Sequence, residues 1–474
     1  MEPGMQPHTW MIVPFVILLM SIALAPLFFA EFWHKHYPKV ALILAAITIS
    51  YYLGYLKAPE KVLHVGHEYI SFIALIGSLF VVSGGIHIMV KGEATPLANV
   101  VFLLIGAVIA NVLGTTGASM LLIRPWIRMN KYRITAHHIV FFIFIVSNIG
   151  GCLTPIGDPP LFLGYLKGIP FWWVLEHCWL PWLTGLAIML AIFFTLDYRN
   201  YLKAPARVRA ELAESADQWK FEGLINLVFL GMILGSVFID KPAFLREAIM
   251  VAASIGSYFL TRKSIHEANH FNFEPIREVA ILFIGIFATM LPALDWLQNN
   301  ARNLGMTSPS FFYWGSGILS SVLDNAPTYY SFLTAIFGVF VQPEIVEKVQ
   351  HLIQNGGTDL ATLTGAHVAE IQATFAALRQ YHPVALQAKT INTEQIEIAY
   401  LLGNVTYNHF ITAISVGAVF FGANTYIGNG PNFMVKSIAD HQKVKVPGFI
   451  GYITKWTLPY MVPMLFIIWL LYFR

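Results

Sequence analysis

Apolar runs of about twenty residues, the length a helix needs to cross a bilayer, recur along the whole chain; Met11–Ala30, Lys39–Leu56 and Phe449–Phe473 are examples. A β-barrel would instead alternate apolar and polar residues over about ten positions. The runs are not relieved by charge. Asp, Glu, Lys and Arg together make up 12% of 474 residues, and hydrophobic residues 57%. An ordinary soluble domain carries about 25% charged residues. This balance excludes a soluble enzyme, a nucleic-acid binder and a disordered scaffold. The expected fold is an all-α polytopic membrane protein whose first partner is the lipid bilayer. The net charge of +3 says nothing about other partners. Cys152 and Cys178 read as small hydrophobes, since two cysteines give no disulfide framework and no metal-ligand spacing. Met1–His8 has no basic stretch ahead of the first apolar run, so it does not read as a cleaved signal peptide.

Hydropathy predicts about ten full crossings and two re-entrant helical hairpins. The spans are 9–30, 38–56, 68–90, a hairpin at 97–124, 136–166 and 170–197, then 222–240, 243–261, 277–298, a hairpin at 309–341, 397–440 and 448–472. Basic residues cluster in four loops: Arg124 to Arg133, Arg199 to Arg209, Arg262-Lys263, and Lys436 to Lys445. All four fall on one side if the hairpins do not cross, and that side should be the cytoplasm. The polar segment 342–396, with Glu344, Glu347, Asp359, Glu370 and Glu394, falls on the other side with both termini. Residues 201–221 read as a cytoplasmic connector between a first repeat, 1–200, and a second, 222–474. Each half has five crossings, an odd number, so the second runs upside down: an inverted repeat.

The repeat also shows as sequence. Thr154-Pro155-Ile156-Gly157-Asp158-Pro159-Pro160 in the first half and Thr425-Tyr426-Ile427-Gly428-Asn429-Gly430-Pro431 in the second share T-x-I-G-[D/N]-x-P. Each follows a predicted hairpin tip, Gly114-Thr115-Thr116-Gly117 and Asp324-Asn325-Ala326-Pro327-Thr328 respectively. Such Gly- and Pro-rich stretches break a helix. Non-helical backbone at membrane depth is tolerated where it lines a polar cavity or is packed in protein. Four interruptions, two per half, point to a substrate site near the midplane.

The breaks and tips carry carboxylate, amide and hydroxyl oxygens, the ligands small hard cations prefer. The candidate ion- and substrate-binding residues are Asn148, Thr154, Asp158, Asp324, Asn325, Asn424, Thr425, Thr115, Thr116 and Asn429. Asp158 and Asp324 are the two carboxylates in the interrupted motifs, and an ionisable group at membrane depth is a functional hypothesis by default; both are candidate sodium ligands. Each acid could also simply cap the helix that follows it. Ligand and structural hydrogen bond weigh equally for the hydroxyls and for Asn148, Asn325 and Asn424. No phosphate loop and no His/Cys metal cluster is present, so no enzyme or ATP-driven pump is expected. No cofactor is expected beyond transported sodium and protons.

At these motifs the chain resembles the ion-transporter superfamily, which includes NhaD-type sodium/proton antiporters, citrate and dicarboxylate carriers and arsenite efflux pumps. Asn148-x-Gly150-Gly151-x-x-Thr154-Pro155-Ile156-Gly157-Asp158 is similar to the N-x-G-G-x-x-[S/T]-P-I-G-D signature of NhaD-type antiporters, and Asp324-Asn325-Ala326-Pro327 to their D-N-x-P hairpin. The chain departs from many relatives in two places: its first hairpin tip has no carboxylate, and its second break ends in the amide-rich Asn429-Gly430-Pro431-Asn432. The resemblance implies a hairpin-bearing part that moves against a scaffold, often in a homodimer, in the inner (cytoplasmic) membrane. It implies a secondary transporter exchanging sodium or lithium for protons. The alternative is a cation-coupled citrate or dicarboxylate transporter, and a rival from another class is a non-transporting membrane sensor or channel.

Overall fold

The computed structural model describes residues 6–89, 95–203, 220–239, 241–354 and 366–474. It is an all-α polytopic membrane protein. Among the described residues, nine helices are long and apolar enough to cross a membrane. Most of the connector expected at 201–221, and the middle of the 342–396 segment, lie outside the described residues.

One of those nine, Pro96–Met129, does not cross. Its 34 residues fold back on themselves at Gly114, whose φ of 73° is open to glycine at no steric cost. Side-chain contacts prove the return. Asn99 and Asn130 exchange amide hydrogen bonds of 2.8 and 3.0 Å, and the rings of Phe102 and Trp126 stack at 5.3 Å. A straight helix would hold Asn99 and Asn130 about 46 Å apart. The second hairpin has arms Pro309–Ser320 and Asn325–Phe340. The ring of Phe312 in one arm lies 6.3 Å from that of Phe332 in the other. Both hairpins thus form where glycine, proline and cap residues interrupt the apolar pattern.

The two motif-bearing spans are broken helices, as expected. Ala136–Ile145 gives way to a short 3-10 segment, Ile149–Leu153, and the chain turns before Pro159–Leu166. Val405–Phe421 gives way in the same manner to Gly430–His441. The run His137–Ile145 is buried on every face. A helix apolar all round belongs inside a bundle, and this places the breaks at its centre. The outer helices carry their large apolar side chains outward, such as Ile43, Leu183 and Phe259, as lipid contact requires. Helix Glu274–Asn300 packs on Ala30–Ser50, and Leu245–Leu260 packs on Pro59–Gly84, so helices of each half pack on helices of the other.

Three details differ from the sequence reading. The span expected at 68–90 runs as helix only to Gly84, and His87–Met89 pairs antiparallel with Lys220–Glu222 in a two-stranded ribbon. The spans expected at 222–240 and 243–261 are the shorter helices Asn226–Ser236 and Leu245–Leu260, about 16 and 24 Å long. The polar segment is itself helical where described, with Pro343–Gln354 and Val368–Tyr381 packed on each other and on Thr393–Leu402.

The long helix Phe171–Lys203 gives the molecule two recognisable ends. At one end Asp197 is fully buried, ion-paired with Arg133, and accepts a hydrogen bond of 2.8 Å from Asn99 at the base of the first hairpin. At the other end Trp172 and Trp173 share a cavity with Glu394 and Gln395 of the polar segment. These are the basic end and the insertion end of the bundle. Arg124, His270 and His441, from or beside three of the four basic loops, line one cavity, so the fold gathers those loops at one end.

Candidate functional site

Thr154 and Thr425 build the two breaks in the same way. The Thr154 hydroxyl donates to the Asn111 carbonyl at 2.6 Å and accepts from the Gly157 amide at 3.0 Å. The Thr425 hydroxyl donates to the Ser321 carbonyl at 2.6 Å and accepts from the Gly428 amide at 3.1 Å. Each threonine therefore pins its break to the hairpin of its own half. Close backbone passages recur at the same offset. A Cβ on Gly151 would lie 2.6 Å from the Gly157 carbonyl, and one on Gly428 would lie 2.6 Å from the Gly422 carbonyl. Between two readings weighed equally from the sequence, the structural one describes Thr154 and Thr425.

Asp158 stands at the centre. It occupies the N-cap position of Pro159–Leu166 but makes no capping hydrogen bond. Its carboxylate instead accepts from the Thr115 hydroxyl at 2.7 Å, the Asn325 amide at 2.5 Å and the Asn429 amide at 3.2 Å. Those donors come from the first hairpin tip, the second hairpin tip and the second break. One fully buried carboxylate thus joins all four interruptions, and every hydrogen-bond donor on it is neutral. Asn148 braces the same centre. Its amide donates to Asn432 at 2.7 Å and to the Ile143 carbonyl at 2.8 Å, while its oxygen accepts from Asn429 at 3.2 Å.

Asp324 behaves differently. It does act as a cap, accepting the Ala326 amide at 3.0 Å, and it also faces a small cavity. That cavity, of about 50 Å³, is lined by Thr116, Pro159, Asp324, Asn429, Gly430 and Pro431 on one side. Phe72, Ile76, Phe80 and Phe283, from the long helices Pro59–Gly84 and Glu274–Asn300, form the other side. No Lys or Arg is among its lining residues. Its volume suits one or two waters, each taking about 30 Å³. Toward the basic end it adjoins a cavity of about 630 Å³, and the two share Pro275 and Met434.

Two amide oxygens are left over. Asn325 Oδ1 and Asn424 Oδ1 are buried and have no hydrogen-bond partner. Their orientation is dictated by the neighbours. Asn325 must turn its NH₂ toward Asp158, which can only accept when ionised. Asn424 turns its NH₂ to Ser321 Oγ at 2.9 Å, because that hydroxyl spends its proton on the Gly317 carbonyl. A buried acceptor without a donor costs about 1–3 kcal/mol, and a cation removes that cost. Asn325 and Asn424 thus each leave a hard amide oxygen uncommitted, the kind of ligand small cations prefer.

All ten residues singled out from the sequence lie on the two hairpin tips and the two breaks, and Asp158 with its donors draws four of them into direct contact. What the motifs did not point to is a further polar cluster, in which the buried Lys167 meets the buried Glu68 and Tyr330, the half-buried Glu394 and the exposed His64. The trace it leaves in the sequence is Glu68, an acid just inside an apolar run. The free thiols of Cys152 and Cys178 are buried.

A family model described as "Putative citrate transport" (CitMHS_2) matches residues 4–473 of the chain. No curated protein matches it.

Proposed function

We propose, for a chain that belongs to the CitMHS_2 citrate-transport family, a secondary transporter that moves a small carboxylate of the citrate class together with a coupling cation. The family is one of transporters and not an enzyme class, and the fold is that of a multi-pass membrane protein. The observation that carries the reading is the small cavity between Thr116, Asp324 and Asn429. Two helices, Pro159–Leu166 and Gly430–His441, begin at its wall. Helix N-termini are positive dipole ends, which suit a carboxylate. Pro159, Pro160 and Pro431 carry no amide hydrogen, so the attraction there comes from the dipoles rather than from free amides. Thr116 adds a neutral hydroxyl donor beside them, whereas the Asn429 amide is already engaged by Asp158 and Asn148.

Asp158 and Asp324 explain why a cation must accompany the anion. A di- or tricarboxylate brought close to two acids in a poorly solvated site is strongly repelled unless positive charge offsets them. The uncommitted oxygens of Asn325, bonded to Asp158, and of Asn424, bonded to Ser321 in the second hairpin, provide for that charge. A citrate-sized molecule does not fit in about 50 Å³, so binding requires the hairpins and breaks to move away from the aromatic wall formed by Phe72, Phe80 and Phe283. The matched breaks and hairpins support two repeats, residues 1–200 and 222–474. Their inverted arrangement would make the basic end cytoplasmic and the 342–396 segment extracytoplasmic, in the inner membrane. Open access from the basic end then corresponds to an inward-facing state.

The test is uptake of labelled citrate by purified protein in liposomes, with sodium and pH gradients imposed separately. The expected result is citrate uptake that stops when both gradients are removed. Sodium-driven proton movement with no organic anion present would instead support sodium–proton exchange.

A further inference from the structure

We propose that Lys167, held between Glu68 and Glu394, is the gate that closes the insertion end of the pathway. Lys167 directly follows the helix Pro159–Leu166, which begins at Asp158. Its ammonium lies 2.8 Å from Glu68 Oε1 and 2.5 Å from Glu394 Oε1, and 5.1 Å from the ring centroid of Tyr330. The Tyr330 hydroxyl donates to the second Glu68 oxygen at 3.0 Å. His64 lies 3.2 Å from Glu394 and 3.5 Å from Glu68. The cluster therefore ties together four separate parts of the chain. These are the long helix Pro59–Gly84, the end of the first broken span, the second hairpin and the helix Thr393–Leu402 of the polar segment.

Its position makes it a gate rather than a brace. A cavity of about 760 Å³ opens at the insertion end, and Glu68 and Ser71 lie on its wall. Phe72 and Ile76, the next residues inward on that helix, line the small cavity beside Asp324 and Asn429. The outer cavity reaches inward to Ser71 and the small one begins at Phe72. The carboxylates of Glu68 and Glu394 that hold Lys167 lie on the wall of the outer cavity, at its approach to that divide. At the basic end the cavity, whose wall carries Arg124, Glu274 and Glu278, shares Pro275 and Met434 with the small one. The small cavity thus adjoins the cavity of the basic end, whereas toward the insertion end the Lys167 ion pairs with Glu68 and Glu394 hold the neighbouring elements together. Because Lys167 is carried by the helix that starts at Asp158, movement of the break withdraws the ammonium from Glu68 and Glu394, coupling the state of the central site to opening. This rests on the transport reading but not on the identity of the substrate.

The experiment is thiol accessibility in liposomes. Cys152 and Cys178 are replaced by Ala, and Ile76→Cys is the reporter. A membrane-impermeant maleimide is applied on either side, with Lys348→Cys in a parallel sample defining the insertion side. In the parent, labelling of Ile76→Cys from the insertion side should be slow. Lys167→Met and Glu394→Gln should each raise that rate by about tenfold and lower the rate from the other side. Lys167→Arg should leave both near the parent values. Monodisperse protein with unchanged labelling in either neutral variant would overturn the gate. If Lys167→Met does not fold, Glu394→Gln decides. A faster rate from both sides at once would equally overturn it, since that is loosening and not a gate. No substrate enters the measurement, so its failure stands apart from a failure to move citrate.

Discussion

The Asn325 amide donates to the Asp158 carboxylate at 2.5 Å, across 167 residues of sequence. That bond joins the tip of the second hairpin to the break of the first half. It makes the two acids of the interrupted motifs unequal: Asp158 is a shared hub of three donors, whereas Asp324 is a local cap that also faces the cavity.

The inequality predicts different outcomes for two identical substitutions. Asp158→Asn gives the hub its own NH₂ to turn on Thr115, Asn325 or Asn429, so at least one buried donor loses its acceptor, at a cost of about 1–3 kcal/mol. It should lower the thermal midpoint and abolish transport. Asp324→Asn keeps an oxygen for the Ala326 amide and should leave the midpoint within about 2 °C, while reducing flux at least tenfold. Thermal unfolding and labelled-substrate uptake on the same preparations check both; equal midpoints for the two variants would refute the hub.

Thr154 and Thr425 hold equivalent pins. Replacing either by Val removes the donor to the facing hairpin carbonyl, and Thr425→Val also takes the hydroxyl acceptor from the Gly428 amide, while the Gly157 amide keeps the Thr154 carbonyl. Each should cost about 1–3 kcal/mol. Serine keeps the hydroxyl and should recover most of that. Denaturation of the four variants in detergent would show it, and a Val variant as stable as wild type would contradict the pin.

Gly151→Ala should give little folded protein, because its Cβ would lie 2.6 Å from the Gly157 carbonyl, a backbone atom with no room to withdraw. Gly430→Ala should fold normally, since nothing lies within 4 Å of its Cβ. Yield and monodispersity after purification distinguish the two.

Asn424→Ala removes one uncommitted oxygen of the second break. If that oxygen binds the coupling cation, the half-saturating sodium concentration should rise about tenfold, the effect of about 1.4 kcal/mol, with little change in the substrate dependence. Sodium titration of uptake at fixed citrate measures it, and an unchanged sodium dependence excludes Asn424 as a ligand.

At the insertion end, burial pushes the Glu394 carboxyl up. Hydrogen bonding to His64 and the Lys167 charge more than offset this and hold it at about 2. A folded-state pKa below the unfolded value of about 4.3 stabilises the protein at higher pH. That contribution is complete above the ordinary carboxylate range and disappears as pH falls toward 2. The difference in thermal midpoint between wild type and Glu394→Gln should therefore be constant from about pH 5 to 6, below the range in which the adjoining histidine, His64, changes charge in the unfolded chain. A difference that shrinks steadily over that range would show that Glu394 is not held ionised.

The helical fold, both hairpins and both breaks were legible because each follows from a local rule: run length, the φ freedom of Gly114, and the proline-rich turns after Thr154 and Thr425. The ten candidate residues lie at those interruptions for the same reason. The sequence could not say which would touch. The contact of Asp158 with Asn325 and Asn429 is set by how the halves dock, and no spacing encodes that. The Lys167 cluster was invisible for a related reason: Glu68, Lys167 and Glu394 sit in unrelated local patterns and meet only in three dimensions. The ribbon at His87–Met89 was hidden because an apolar strand that short cannot be told from the end of a helix by periodicity.

The paired breaks share a backbone plan but not a charge. Where the first half has Asp158 its counterpart is Asn429, and where the second hairpin tip has Asp324 the first has Gly114. Each half contributes one acid, from a different element. A framework with near two-fold likeness thereby acquires an electrical polarity, with a charged flank and a neutral flank. If a ligand with several acid groups binds there, as proposed, it meets inequivalent surroundings when turned end for end, so one orientation is favoured even though the two breaks are built alike.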